Sequence, residues 1–378
     1  MDKVYSNSML NIGATGSANS LGGLFFKRDP SDIEPCKWNF KREEAKEPDH
    51  AFLLIPHRLG EQLLNKQPMR SRGWCFQDRI LSCRMVDFTV KQLVWRCHEL
   101  EACETYPVGF PPKVKMAGLE TGFSLKSQDP IITEDWVPNA LSIAKWEYLA
   151  QVYSEDFLTK PEDKLIALSG LAKEMSPLLL ETYCAGLWRS ALPQSLLWCS
   201  TGFQSNGIVS KKPSQYRAPS WPWAFLDGEV DFCGSLAKKD SEDILIKILE
   251  AKTTLVSAQN SYGAVSDGRL KVEGCLWPIT LKTSFGSVLM CDFETGAVLV
   301  QTIDCFLDNL TQNLHRTTFF CMPVQFKERD SVPAPNLIGL ILATVDKDSN
   351  KKLEVSKYPW IKRRKVKINS VICKSRGP

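Results

Sequence analysis

The chain has 378 residues, 43% of them hydrophobic and 24% charged, with a formal net charge of +4. That is enough apolar residue for two or three globular domains without disulfide staples. No stretch approaches the roughly twenty consecutive apolar residues of a membrane span, and the start, Met1 to Ser8, lacks the basic and apolar regions of a secretory signal, so a cytoplasmic protein without membrane association is expected.

The first predicted element is a short strand or helix end over Met9 to Ala14, followed by a loop of small residues to Gly23. Residues 29 to 50, polar and punctuated by Pro30, Pro35 and Pro48, predict a surface excursion before the apolar stretch Ala51 to Pro56. From Arg72 the spacing of Trp74, Phe76, Ile80 and Leu81 predicts a helix. A hairpin follows, with strands over Val86 to Thr89 and Leu93 to Cys97 turning at Lys91-Gln92. Residues 107 to 135 lack periodicity and predict a linker or surface loop. Residues 136 to 152 and 161 to 175 carry the three-and-four spacing of amphipathic helices. Pro161 lies near the start of the second, where its missing donor costs nothing. A third helix is predicted over Leu178 to Leu192, continuing through Leu196 to Ser200.

Beyond Tyr216 the pattern changes to seven short apolar runs: Ile244 to Lys252, Leu270 to Leu276, Val288 to Asp292, Gly296 to Thr302, Thr318 to Val324, Ile338 to Val345 and Lys365 to Ile372. These predict a β-rich, mostly antiparallel C-terminal region, and the whole chain reads as α+β. The basic cluster Lys362 to Lys365 alternates with valine and isoleucine farther on, so it reads as a lysine-guarded edge strand and not as a nucleic-acid surface. The thirteen cysteines are odd in number and sit in apolar runs, which predicts reduced, buried thiols. Four scattered histidines and the Cys97-His98 and Cys103 grouping match no zinc pattern, and no glycine-rich stretch carries the lysine of a phosphate loop, so neither metal nor cofactor is expected.

The run Arg72-Gly73-Trp74-Cys75-Phe76-Gln77-Asp78-Arg79-Ile80-Leu81-Ser82 resembles the motif R-[AG]-W-T-[LF]-Q-E-[RK]-x-L-S of fungal heterokaryon-incompatibility domains. Its most telling positions are Arg72, Gly73, Trp74, Gln77, Asp78, Arg79, Leu81 and Ser82. Gln92 to Cys97 then resembles that family's "qlxWeC". Three later stretches also resemble segments that follow this domain: Leu158 to Ala172 ("LTxxxDrLpAlsGlA"), Tyr183 to Trp188 ("YlAGLW") and Tyr216 to Ala224 ("yrAPSWSWA"). The domain's opening segments, "YxaLSYxWG" and "WiDxlCIxQ", have no counterpart.

The resemblance implies that residues 1–110 are the C-terminal half of such a domain, whose fold is TIR-like α/β. Residues 111–135 would be a linker, 136–215 a helical region and 216–378 the β-rich region. It implies a part in non-self recognition and programmed cell death, in a shortened form, with a protein partner. Some TIR domains cleave NAD through a helix glutamate, which would make Asp78 a catalytic carboxylate in a form completed by the absent half. The structural alternative pairs Asp78 with Arg79, Arg72 or Arg84 and buries Trp74. Tyr216, Arg217, Trp221 and Trp223 are candidates either for an exposed partner surface or for a buried hub.

Overall fold

The computed structural model describes residues 2–29, 31, 34, 36–40, 50–54, 59, 63–64, 67–110, 140–200, 213–232, 244–284, 287–292, 298–300, 319–327, 336–343 and 372–374. The chain divides into two compact units. One comprises Met1–Asp129 with Asp156–Leu158, the other Pro130–Glu155 with Thr159–Pro378. The expected linker at 111–135 lies outside the described residues. The helical and β-rich regions, separated on sequence grounds, fall within the second unit.

In the first unit, α1 (Asp2–Ser6) leads to β1 (Asn11–Gly13), then β2 (Cys36–Phe40) and β3 (His50–Leu54) form a separate antiparallel hairpin. Part of the expected surface excursion, Cys36–Phe40, is therefore a strand, and residues 41–49 lie outside the described residues. Helix α2 (Gly73–Leu81) follows, then β4 (Arg84–Phe88), β5 (Leu93–Cys97) and β6 (Glu101–Cys103). The sheet order is β1-β4-β5-β6, with β1 parallel to β4 and the remaining pairs antiparallel. The turn joining β4 to β5 is closed by Thr89, whose amide and hydroxyl both donate to the carbonyl of Gln92. The hydroxyl in turn accepts from the Gln92 amide. Side chains alternate as a pleat requires: Met85, Asp87, Val94 and Arg96 are buried, while Val86, Phe88, Leu93, Trp95 and Cys97 are half-buried.

In the second unit, α3 (Ala140–Ser154) and α4 (Lys164–Leu179) form the helical pair that the periodicity predicts. A single 3-10 turn over Pro161–Asp163 precedes α4, and Leu180 in left-handed conformation, φ 50°, ends it. The third helix expected at 178–192 is instead a tight hairpin of β7 (Tyr183–Cys184) and β8 (Leu187–Trp188), followed by the short α5 (Leu192–Ser195) and β9 (Trp198–Ser200). The cause is local. Ala185 and Gly186, at φ 51° and 103°, make the two-residue turn with both central residues left-handed. Such a turn reverses the chain where a helix would have continued.

Strand β10 (Val230–Phe232) pairs with β9, and β11 (Lys247–Leu255) with β12 (Val265–Glu273). The remaining strands are β13 (Trp277–Ser284), β14 (Ser287–Asp292), β15 (Val298–Val300), β16 (Phe319–Lys327), β17 (Asn336–Ala343) and β18 (Ile372–Lys374). They form one sheet in the order β15-β14-β13-β16-β17-β18, antiparallel except at β17–β18. The fold is therefore α+β with mostly antiparallel sheets. Strand β13 occupies a stretch in which the sequence pattern suggests no strand. Of the seventh expected strand only Ile372 is described.

Among the described residues no helix is long and apolar enough to cross a membrane. Eight cysteines are described as free thiols; Cys103, Cys184 and Cys321 are buried, whereas Cys275 is exposed, against the expectation of general burial.

Candidate functional site

Two groups of motif residues form the candidate sites, one in each unit. In the first, α2 is an amphipathic helix whose inner face carries Gly73, Phe76, Gln77, Arg79, Ile80 and Leu81, all buried. Its N-terminus is stitched to Asp156–Leu158. The Gly73 amide donates to the Phe157 carbonyl at 2.8 Å, and the Phe157 amide to Ser71 at 2.7 Å. A Cβ on Gly73 would stand 2.8 Å from the Leu158 side chain, which is why glycine opens the helix.

Arg79 turns inward, donating to the Arg70 carbonyl at 2.5 Å and meeting Asp156 at 3.3 Å. Beside it on the sheet, Asp87 is wholly buried. It accepts from the Thr15 hydroxyl at 2.6 Å and from Arg96 at 2.9 and 2.7 Å. Thr15, Asp87 and Arg96 thus form a closed buried network, each charge held by a partner of opposite sign. Burial pushes the Asp156 carboxyl up to about 6 despite Arg79 and Arg70.

The outer face of α2 is different. Trp74 is 39% exposed, so it is not core as the structural alternative had it. Cys75 and Asp78 are half-buried. Asp78 takes a hydrogen bond from Tyr5 of α1 and also feels the charge of Arg79. Burial raises its carboxyl to about 6, opposed by the Tyr5 hydrogen bond and by the Arg79 charge. The same contact, after burial, pushes the Tyr5 hydroxyl up to about 12. A carboxyl titrating near neutrality on a half-open surface can exchange a proton with a ligand. Ser82 caps the C-terminal end, its hydroxyl donating to the Asp78 carbonyl at 2.5 Å and accepting from Asn11 at 2.9 Å.

In the second unit the three later motifs meet. The Gly186 carbonyl, in the β7–β8 turn, accepts the indole hydrogens of both Trp146 and Trp223, each at 2.9 Å. Trp146, Tyr183 and Trp188 pack edge to face around it, with centroids 5.1 to 5.7 Å apart. The Lys164 ammonium lies 5.2 Å from the Trp223 ring centre and donates to the Leu226 carbonyl at 2.6 Å. Complete burial, with the Arg217 charge nearby, pulls Lys164 down to about 7 against the pull of Asp227. Arg217 donates to the carbonyls of Ala224 and Pro161, at 2.7 and 2.8 Å, and pairs with Asp227 at 2.5 Å. Trp221 is buried and its carbonyl accepts from the Trp198 indole at 2.9 Å. Of the four candidates there, Arg217, Trp221 and Trp223 point inward, and Tyr216 alone is exposed, at 51%.

Several structural residues were not singled out in the sequence. Asp87 and Arg96 stand on the buried face of β4 and β5, and two opposite charges at inward positions of facing strands were the available signal. Glu147 of α3 is buried with its carboxyl against the Ser195 hydroxyl, and burial raises it to about 7. Nothing in its local pattern separates it from a surface glutamate. Among the described residues no group of histidine, cysteine or carboxylate side chains has the arrangement of a metal site. No family model, no curated protein and no solved structure matches the chain.

Proposed function

We propose that the chain is a heterokaryon-incompatibility protein acting in fungal non-self recognition and programmed cell death, cytoplasmic and dependent on a protein partner. In this reading the first unit corresponds to the C-terminal half of the TIR-like incompatibility domain. The observation that carries it is the meeting of three motifs, far apart in sequence, around one tryptophan: the Trp223 indole donates to the Gly186 carbonyl, and the Lys164 ammonium lies over the Trp223 ring. Lys164 from the first, Gly186 from the second and Trp223 from the third form a single buried cluster. This convergence gives the motif residues a common physical reason. Induced expression of the chain in a fungal host tests the proposal. Growth arrest is expected, and normal growth with the protein present at a verified level contradicts it.

A second reading, nucleotide hydrolysis by a TIR-like site, is favoured by one observation. Asp78 of the helix motif is a half-buried carboxyl raised to about 6, in contact with the Tyr5 hydroxyl. The required form is one in which the absent half of the domain supplies the remainder of the site. NAD measured in the arrested cells discriminates the two readings. Loss of NAD that Asp78→Asn abolishes supports hydrolysis, whereas arrest at unchanged NAD leaves signalling.

A further inference from the structure

Helix α1 is short, and its end is closed by local chemistry. The Tyr5 carbonyl accepts the hydroxyl and the amide of Ser8, at 2.9 and 3.3 Å, and the Asn7 amide donates to the Lys3 carbonyl at 3.3 Å. Such bonds satisfy carbonyls that a helix end leaves without a partner. The segment is then fixed on the C-terminal half of α2. The Cys83 thiol donates to the Ser6 carbonyl at 3.5 Å. Asn11, opening β1, donates to the Ser82 hydroxyl, which itself donates to the Asp78 carbonyl. These contacts bring the half-buried Tyr5 side chain against α2, where its hydroxyl donates to the Asp78 carboxyl. Asp78 is thus held at its main chain by Ser82 and at its side chain by Tyr5.

Around that carboxyl stand Tyr5 from α1, with Cys75 and Arg79 from α2. Arg79 is directed inward, to Asp156 and the Arg70 carbonyl. The Cys75 thiol is pushed above its ordinary value by burial and by Asp78, so it stays neutral. Tyr5, pushed up to about 12, keeps its proton over the whole range in which Asp78 titrates. A hydroxyl that remains protonated donates best to an ionised carboxylate and favours that form. It occupies one carboxylate oxygen and leaves the other to a ligand.

We propose that Tyr5 is the positioning residue of Asp78, its hydroxyl holding the carboxyl ionised and in one orientation on the outer face of α2. Trp74, one helical turn before Asp78, lies on that same face and is open to solvent. The positioning role rests on the nucleotide-hydrolysis reading, because only a reacting carboxylate gains rate from fixed placement. The hold of Tyr5 on Asp78 stands apart from that reading, and the two are tested separately.

The variant Tyr5→Phe of the full chain, which keeps the ring and removes the hydroxyl, should melt as the wild type does. Carbon-13 NMR follows the Asp78 carboxyl through its titration, its signal assigned as the one missing from Asp78→Asn. In Tyr5→Phe the carboxyl is expected to bind its proton about threefold or more tighter, moving the midpoint to higher pH. An unchanged midpoint overturns the proposal. NAD in induced fungal cells is the second readout. Tyr5→Phe should slow NAD loss by about tenfold at equal protein level, and loss at the wild-type rate overturns the positioning role even if the midpoint moves. If the wild type causes no NAD loss, the hydrolysis reading and the positioning role fall together, while a moved midpoint still supports the hold of Tyr5 on Asp78.

Discussion

Single residues in this protein carry charge where solvent cannot reach it, and stability should follow pH accordingly. Glu147 is held above its ordinary range, from 4.5 to about 7, by burial against little more than the Ser195 hydroxyl. The folded state therefore keeps a proton that the unfolded state releases. Stability from this group is complete below the unfolded value and is lost as pH rises toward the folded one, a swing on the order of 3 kcal/mol. Asp78 and Asp156, both raised to about 6, act in the same direction.

Lys164 acts in a different window. Its folded value of about 7 lies below the unfolded 10.5, so the folded state binds fewer protons between them and this contribution to stability grows as pH rises through that interval. Melting temperatures between pH 4.5 and 10 should first fall and then recover. Glu147→Gln is expected to flatten the fall, and a fall that survives unchanged in Glu147→Gln removes this account of the residue. At Gly186 the constraint is steric. A Cβ would lie 2.9 Å from the Trp223 indole nitrogen on a backbone at φ 103°, so Gly186→Ala should cost about 2–5 kcal/mol, seen as a lowered melting temperature.

At the scale of elements, the β4–β5 hairpin depends on a charge that its strands bury. Asp87→Asn keeps the shape of the side chain but leaves Arg96 buried without its counterion, for which about 3–5 kcal/mol is expected. Urea unfolding of the double variant Asp87→Asn with Arg96→Met checks the coupling. If the two single losses simply add, the pair is not the network described. This hairpin and the helix before it were readable in the sequence because their apolar positions keep a clean period and the turn has local chemistry. The hairpin at 183–188 was not readable. Its strands are two residues each, too short for a period, and its left-handed pair is Ala185-Gly186, where alanine gives no turn signal. Strand β13 was hidden for a related reason, since Trp277 to Ser284 mixes proline, lysine and three hydroxyl residues with its apolar ones.

For the whole molecule, the sequence disclosed the α+β class and the positions of most motifs, but not which motif residues face inward. Arg217 and Lys164 look like surface residues until the fold places carbonyls and a tryptophan ring around them. Trp74 looks like core until α2 turns it to solvent. Such reversals arise because burial depends on contacts made by distant segments, while periodicity reports only the local element. The two units present motif residues in opposite ways: the second encloses its three motifs around Trp223, whereas α2 of the first displays Trp74 and Asp78 on its open side. The most direct test of the functional account is growth of a fungal culture on induction of the intact chain, compared with the variant Gly186→Ala. Arrest with the intact chain and its loss in the variant is the result expected. Undisturbed growth with the intact protein folded and abundant would contradict the account.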